Sequence, residues 1–233
     1  MVREFTRNMF VMLLAIMIGT IIITYFLGDI VNRSTIASLT AEHKVEISAL
    51  KGKSENFTSH FLKSSSLLDQ AREDRAFGNY HFDLAFLWYQ SALYETDSEL
   101  MDLYKIRGVT NCSDAMPHYI YSYENFLEAK GFFNETKSFT TYKKYLYLLD
   151  LYINLTDAGS RLTLLRYNAS KYLMYLTENL TFNPETNNAT YLTNITDLLM
   201  LFNQTMMAYG GVFQEYEEYQ DEIDEYEFFD EIR

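Results

Sequence analysis

Between Arg7 and Asp29 run 21 residues without a single charge, and no other stretch limits the folding of this chain so sharply. At about 1.5 Å per helical residue the run reaches roughly 31 Å, enough to cross a hydrocarbon core of about 30 Å. Gly19 and Thr20 are tolerable inside such a helix, and Tyr25 near its outer end suits the membrane interface. Arg3 and Arg7 precede the run while Asp29 follows it, so residues 8–28 are expected to form a transmembrane helix with residues 1–7 in the cytoplasm and the rest outside. A cleaved signal peptide would have an apolar core of about 7–15 residues and a small-x-small cleavage site. ITYFLGDI offers none, so the segment reads as a retained signal-anchor, and no second apolar run approaches its length. MVREFTR is too short for an output domain, so any signalling would pass laterally to a partner.

Ten N-x-[ST] sequons follow the apolar run: Asn32, Asn56, Asn111, Asn134, Asn154, Asn168, Asn179, Asn188, Asn194 and Asn203. With fifteen asparagines and 35 Ser plus Thr among 233 residues, chance placement would give about two or three. The excess agrees with the charge bias, because N-glycans are added to exposed asparagines outside the cytoplasm. A glycoprotein anchored in the cell membrane, its body extracellular, is expected. Cys112 is the only cysteine. An exported domain of animal type would ordinarily be cross-linked by disulfides, so sequons without them point to an archaeal cell surface. Cys112 itself, inside the sequon Asn111-Cys112-Ser113, reads as a small filler.

The net charge of −13 is concentrated at one end: from Phe213 to Arg233 there are ten acidic residues and one basic. Phosphate contacts need clustered Lys and Arg, so nucleic acid is not an expected partner.

Apolar residues three and four apart dominate the rest, and the expected fold class is all-α, an extracytoplasmic bundle or stack of antiparallel helical hairpins. Ile36, Leu39, His43, Ile47, Leu50, Phe57 and Phe61 mark a stalk-like helix over 29–76, with Gly52 as a possible break. A helical hairpin domain is expected over 77–211. Within it a helix is read at 80–94, then a short helix capped by Thr96 or Asp97, a GVTNCSDAMP loop, and a helix opened by Pro117 and ended near Gly131. Stripes over Tyr142–Ile153 and Leu162–Leu176 read as an antiparallel pair joined by LTDAGS. FNPETNNAT reads as a polar loop, and Gly210-Gly211 as the end of the helix after it. Residues 212–233 form an acidic amphipathic terminal helix, with Phe213, Tyr216, Tyr219, Ile223, Tyr226 and Phe229 as a candidate partner-binding stripe, docked on its own domain or on a neighbour.

Ala85, Tyr89, Ala92 and Leu93, preceded by Gly78 and Tyr80, carry the small-aromatic-small spacing with which paired helices pack closely. Residues 78–93 thereby resemble the second half of a tetratricopeptide repeat, although Gly78-Asn79-Tyr80 stands two residues too far from Ala85. The resemblance implies stacked helical hairpins with a groove for a protein partner.

Chemistry is not evident. His43, His60, His81 and His118 form no HxxxH or HExxH spacing, and no GxSxG, Walker-type or GxGxxG sequence occurs. Asp221, Glu222, Asp224 and Glu225 lack the alternating ligands and central glycine of an EF-hand. No catalytic residue, metal ligand or cofactor is expected. The expected function is a membrane-anchored, N-glycosylated scaffold or accessory subunit that binds other surface or membrane proteins. A structural subunit of a surface lattice or filament, and a ligand-sensing ectodomain acting through a partner, are the alternatives.

Overall fold

A computed structural model describes the backbone of residues 2–226, and the side chains of residue 35 and of residues 38–226. Helix α1 (Val2–Leu93) is followed by α2 (Ser98–Thr136), a 3-10 turn (Lys137–Phe139), α3 (Lys143–Glu178), a hairpin of strands β1 (Leu180–Asn183) and β2 (Asn188–Tyr191), and α4 (Thr196–Asp224). Among the described residues no helix is long and apolar enough to cross a membrane. The side chains of residues 8–28, the expected span, lie outside the described ones.

The chain divides into two compact units, residues 1–54 and 55–233. In the first, residues 38–51 are exposed throughout, Leu39, Val45, Ile47 and Leu50 included.

The second unit is a four-helix bundle whose directions follow from paired side chains. His60 of α1 meets Glu135 of α2, while Trp88 stacks on Tyr104 at 5.5 Å, so the two helices run antiparallel. The same reversal relates α2 to α3, through Lys130–Asp157 and Ser113–Met174. It relates α3 to α4 through Tyr147–Glu222 and Arg161–Glu215, and α4 to α1 through Arg72–Gln220 and Phe86–Phe202. Up-down-up-down order is what short connections impose. Its 36 residues make α3 about 54 Å long at 1.5 Å per residue.

Local chemistry sets the turns. Glu95 Oε1 accepts from the amides of Thr96 and Asp97, and Asp97 Oδ1 then accepts from those of Glu99 and Leu100 at 2.9 and 3.0 Å. Of the two expected caps, Asp97 and not Thr96 is thus the N-cap of α2. Asn194 Oδ1 does comparable work before α4, accepting from the amide and hydroxyl of Thr196.

The unit is not wholly helical: FNPETNNAT, expected as a loop, supplies most of an antiparallel hairpin pairing Leu180 with Tyr191 and Asn183 with Asn188. Asn187, at φ 52°, takes the left-handed turn conformation that asparagine tolerates well. Two pairs per face are too few for alternation to register in a sequence. Leu180 is buried, and the Tyr191 hydroxyl meets that of Tyr89 at 2.7 Å, which ties the hairpin to α1.

Five expected breaks are helix interior. Gly52 lies within α1, residues 108–117 and Gly131 within α2, LTDAGS within α3 and Gly210-Gly211 within α4. The helix read at 80–94 is likewise the end of α1, with Gly78 inside it. Pro117 sits in mid-helix, which removes one backbone hydrogen bond at a cost of about 3 kcal/mol. Buried Ala115 and Tyr119 on either side hold the helix through it.

Two apolar cores stack along the bundle. One, around Leu67, Ala71, Phe126, Phe133, Leu149, Leu155, Leu162 and Tyr216, fills the half nearer the 3-10 turn. The other, around Phe82, Ala85, Tyr89, Met101, Cys112, Tyr119, Leu173, Leu176 and Phe202, fills the half beside the hairpin. Each fully buried Leu or Phe is worth about 1.5–3 kcal/mol, and truncating Leu155 to alanine should cost about 2–5 kcal/mol.

Candidate functional site

Where the two cores meet, the bundle interior turns polar. From α2, Ser122 donates to the Ala71 carbonyl at 2.7 Å and lies 3.3 Å from Thr163 Oγ1. Tyr119, one turn earlier, donates to Asn79 Oδ1 at 2.9 Å. Small residues open this layer. Gly78 faces the Tyr119 ring and Gly159 the Phe126 ring, so closely that a side chain at either would overlap an aromatic ring. Burial holds the Tyr119 phenol well above its ordinary titration range; nearby Arg166 opposes that shift, Tyr209 and Asp83 add to it, and Arg75 also opposes it.

Two guanidinium groups enter this layer from diagonal helices. Arg75 of α1 lies 4.3 Å from the centre of the Tyr216 ring and 5.8 Å from that of Phe126. Arg166 of α3 lies 4.1 Å from the Tyr209 ring and 4.5 Å from Phe82. Both side chains are half-buried, yet Arg75 Nη1 and Arg166 Nε are shut off from solvent with no hydrogen-bond partner. A cation over an aromatic face gains about 0.5–2 kcal/mol. A buried donor left unpaired loses about 1–3 kcal/mol. Ring stacking therefore offsets the desolvation without supplying an acceptor.

A second cluster lies on the outer surface where α1 meets α2. Phe77 and His118 stack at 5.6 Å, His118 and His81 at 6.0 Å, and Tyr80 meets His81 edge-on. Asp74 approaches His118 at 3.5 Å, and Asn111 Oδ1 lies 3.2 Å from His81 Nδ1. Glu73, Ala76, Phe77, Tyr80 and His81 line an open groove of about 550 Å³ beside it. Among the described residues no three of His, Cys, Asp and Glu converge as a metal site.

Of the ten expected sugar acceptors, nine have described side chains. Asn56, Asn134, Asn154, Asn188, Asn194 and Asn203 are exposed, and Asn111, Asn168 and Asn179 are half-buried. Asn32 lies outside the described side chains. Two of the half-buried amides are structurally engaged: Asn111 Nδ2 donates to the Arg107 carbonyl, and Asn179 Nδ2 to that of Tyr175. Cys112, between Asn111 and Ser113, is fully buried, and that burial, with Glu178 adding to it, pushes its thiol up to about 12.

The aromatic stripe of the terminal helix forms the inward face of α4. Tyr216 is in the core, and Phe213, Tyr219 and Ile223 pack against it. Arg72 donates to the Tyr216 hydroxyl at 3.0 Å, and the Tyr226 hydroxyl donates to the Lys144 carbonyl. These five side chains belong to the bundle's own packing; Phe229 lies outside the described residues. The positions behind the tetratricopeptide resemblance are core positions too, with Ala85, Tyr89 and Ala92 buried.

Sequence reading passed over the arginine pair. Arg75 and Arg166 sit inside otherwise apolar stripes, a pattern that long basic side chains reaching the surface produce as well. No family model matches the chain, and neither a curated protein nor a solved structure does.

Proposed function

We propose that this chain is a non-enzymatic, single-pass cell-surface glycoprotein whose helical body serves as a scaffold or accessory subunit for other surface or membrane proteins. Residues 8–28 anchor it, and the bundle stands outside the membrane. One observation carries the reading: none of the nine described sequon asparagines is buried, while α1 from Phe57 to Leu93 carries none. Sugars on α2, α3, the hairpin and α4 would leave this stretch of α1 itself unmodified, with the Asn111 acceptor of α2 at its edge, 3.2 Å from His81. On that bare helix Phe77, Tyr80 and Leu87 are half or more exposed, next to the groove at Glu73–His81. Large apolar side chains exposed on this helix suit a protein partner.

Crosslinking in native membranes, followed by mild-detergent purification, tests this. A partner should be recovered with the unmodified chain and lost with Phe77→Asp and Tyr80→Asp, which alter exposed side chains. Recovery of monomer alone overturns the scaffold reading.

A second reading, a subunit of a surface lattice or filament, is favoured by a different observation. Leu39, His43, Ile47 and Leu50 recur three or four apart on residues 38–51 and are all exposed. Negative-stain microscopy of purified chain separates the two, because polymers formed without any other protein would support only the second.

A further inference from the structure

We infer that the outer face of α1 from Glu73 to Tyr94 seats a basic amphipathic helix of a partner protein. This rests on the scaffold reading, which supplies a partner, and gives that partner a chemistry. Phe77, Tyr80, Leu84 and Leu87 follow one another at three and four residues. Tyr94, whose amide donates to the Gln90 carbonyl, stands seven further on. At about 100° per residue the five fall within about 100° of arc, the width of an ordinary packing stripe. Four of them are half or more exposed, Tyr94 at 81%, and Leu84 is half-buried. The inward stripe of the same helix, Phe82, Ala85, Tyr89 and Ala92, is buried in the bundle. This part of α1 is therefore apolar on two faces, and a helix of that kind is ordinarily covered on both.

Spacing and charge specify the occupant. Exposed anchors three, four and seven apart are what a second helix packs against. The rise from Glu73 to Tyr94 is about 32 Å, room for a helix of roughly three heptads. Glu73 falls within the same arc and lines the groove of about 550 Å³ with Phe77, Tyr80 and His81, while Asp83 borders the arc. Both carboxylates are exposed, and among the described residues neither has an ion-pair or hydrogen-bond partner. Arg72 and Arg75 are turned away from them, toward Tyr216 of α4. From Ala76 to Tyr104 the chain holds five acids, Asp83, Glu95, Asp97, Glu99 and Asp102, and no Lys or Arg. A second copy of this face brings nothing positive to Glu73 or Asp83 and sets like charges together, which disfavours self-pairing. A helix with Leu or Ile along one face and Lys or Arg beside it meets both needs, covering the stripe and bringing cations to two unpaired carboxylates. The bundle's own cations already sit on aromatic faces, Arg107 4.7 Å from the Trp88 ring and Lys63 3.8 Å from that of Phe132. The exposed Phe77 and Tyr80 rings offer the same contact to an incoming Lys or Arg.

The test uses the full chain in uncharged detergent and two synthetic helices of about three heptads, with one leucine seam flanked by lysine in the first and by glutamate in the second. Trp88, the sole tryptophan and half-buried on this same helix, reports docking through its fluorescence. The lysine helix should change that emission saturably and bind at least about tenfold more tightly than the glutamate helix, with the difference shrinking as salt rises. Glu73→Lys combined with Asp83→Lys should weaken the lysine helix at least about tenfold. Glu217→Lys combined with Glu218→Lys, the same change of charge at exposed positions of α4, should leave it within about twofold. Equal affinity for the two helices, a lysine helix indifferent to the α1 substitutions, or no change in Trp88 emission overturns the inference. The assay needs no natural partner, so the two readings fail separately. A partner crosslinked in native membranes alongside any of those results spares the scaffold reading. A preference for the lysine helix alongside monomer alone overturns the scaffold reading and leaves the α1 face as a helix site.

Discussion

A Cβ built on Gly159 would stand 2.5 Å from the Phe126 ring, and one on Gly78 would stand 2.7 Å from the Tyr119 ring. Both rings are fully buried and have nowhere to go. Replacing either glycine with alanine gains about 0.5–1 kcal/mol of helix propensity but forces a core rearrangement costing about 1–3 kcal/mol. Gly159→Ala and Gly78→Ala should therefore lower the urea midpoint. Gly210→Ala and Gly211→Ala, which meet no atom within 4 Å, should raise it, through a gain in stability of about 0.5–1 kcal/mol each. The same substitution changes sign with the space around it, and a uniform sign across the four variants would contradict the packing.

Asp157 supplies a second residue-scale expectation. A hydrogen bond from Lys130 holds its carboxyl below the ordinary carboxylate range, helped by the charges of Lys130 and Arg161 and opposed by partial desolvation. A depressed folded value means that the unfolded chain binds the proton more readily. The contribution is then complete above the unfolded value of about 3.9 and fades as the pH falls through the lower folded one. The side chain is about 41% exposed, so solvent screening keeps the effect at neutral pH to roughly 1 kcal/mol or less. Asp157→Asn should lower the urea midpoint slightly at pH 7 and hardly at all well below pH 3; an equal difference at both would contradict the ion pair.

At the scale of elements, the helical class and the principal stripes were legible, and the helix ends were not. LTDAGS and GVTNCSDAMP read as turns because Gly, Ser, Thr and Asp break the apolar stripe and favour turns locally. Inside α2 and α3 the same residues are packing devices. Thr156 donates to the Tyr152 carbonyl, Ser160 to that of Asp157, and Thr163 to that of Gly159, so each hydroxyl is satisfied within its own helix. Buried Ala158, Gly159, Cys112 and Ala115 let the helices approach closely. No single-chain pattern separates a small residue that ends a helix from one that lets another helix in. The arginines were hidden for a related reason, because the rings over Arg166 come from α1 and α4, over forty positions away from it. The hairpin offers an element-scale check. Asn187→Gly should hold its stability within a few tenths of a kcal/mol, whereas Asn187→Val forces a branched residue into φ 52° and should cost about 1–2 kcal/mol. Chemical denaturation of the two variants measures the difference.

For the molecule as a whole, the geometry of sequons on helices makes the proposed glycosylation testable apart from packing. Positions i and i+2 on a helix lie about 200° apart, so an exposed asparagine turns its sequon hydroxyl toward the core. That is the arrangement at Asn134 and Asn154, where Thr136 and Thr156 are fully buried and donate to the carbonyls of Phe132 and Tyr152. Core packing by itself accounts for threonine at these two positions, but it makes no demand for asparagine two residues earlier. Thr136→Val and Thr156→Val separate the roles. Valine keeps the shape and gives up a hydroxyl bonded to a carbonyl that the helix already occupies, so stability should change by no more than about 1 kcal/mol. The acceptor motif, by contrast, is destroyed. Intact mass of protein from its native membranes should fall by one glycan for each substitution and by two for the pair, with the melting temperature nearly unchanged. Unchanged mass in both would leave the threonines as packing residues and remove the outward orientation on which the scaffold reading rests.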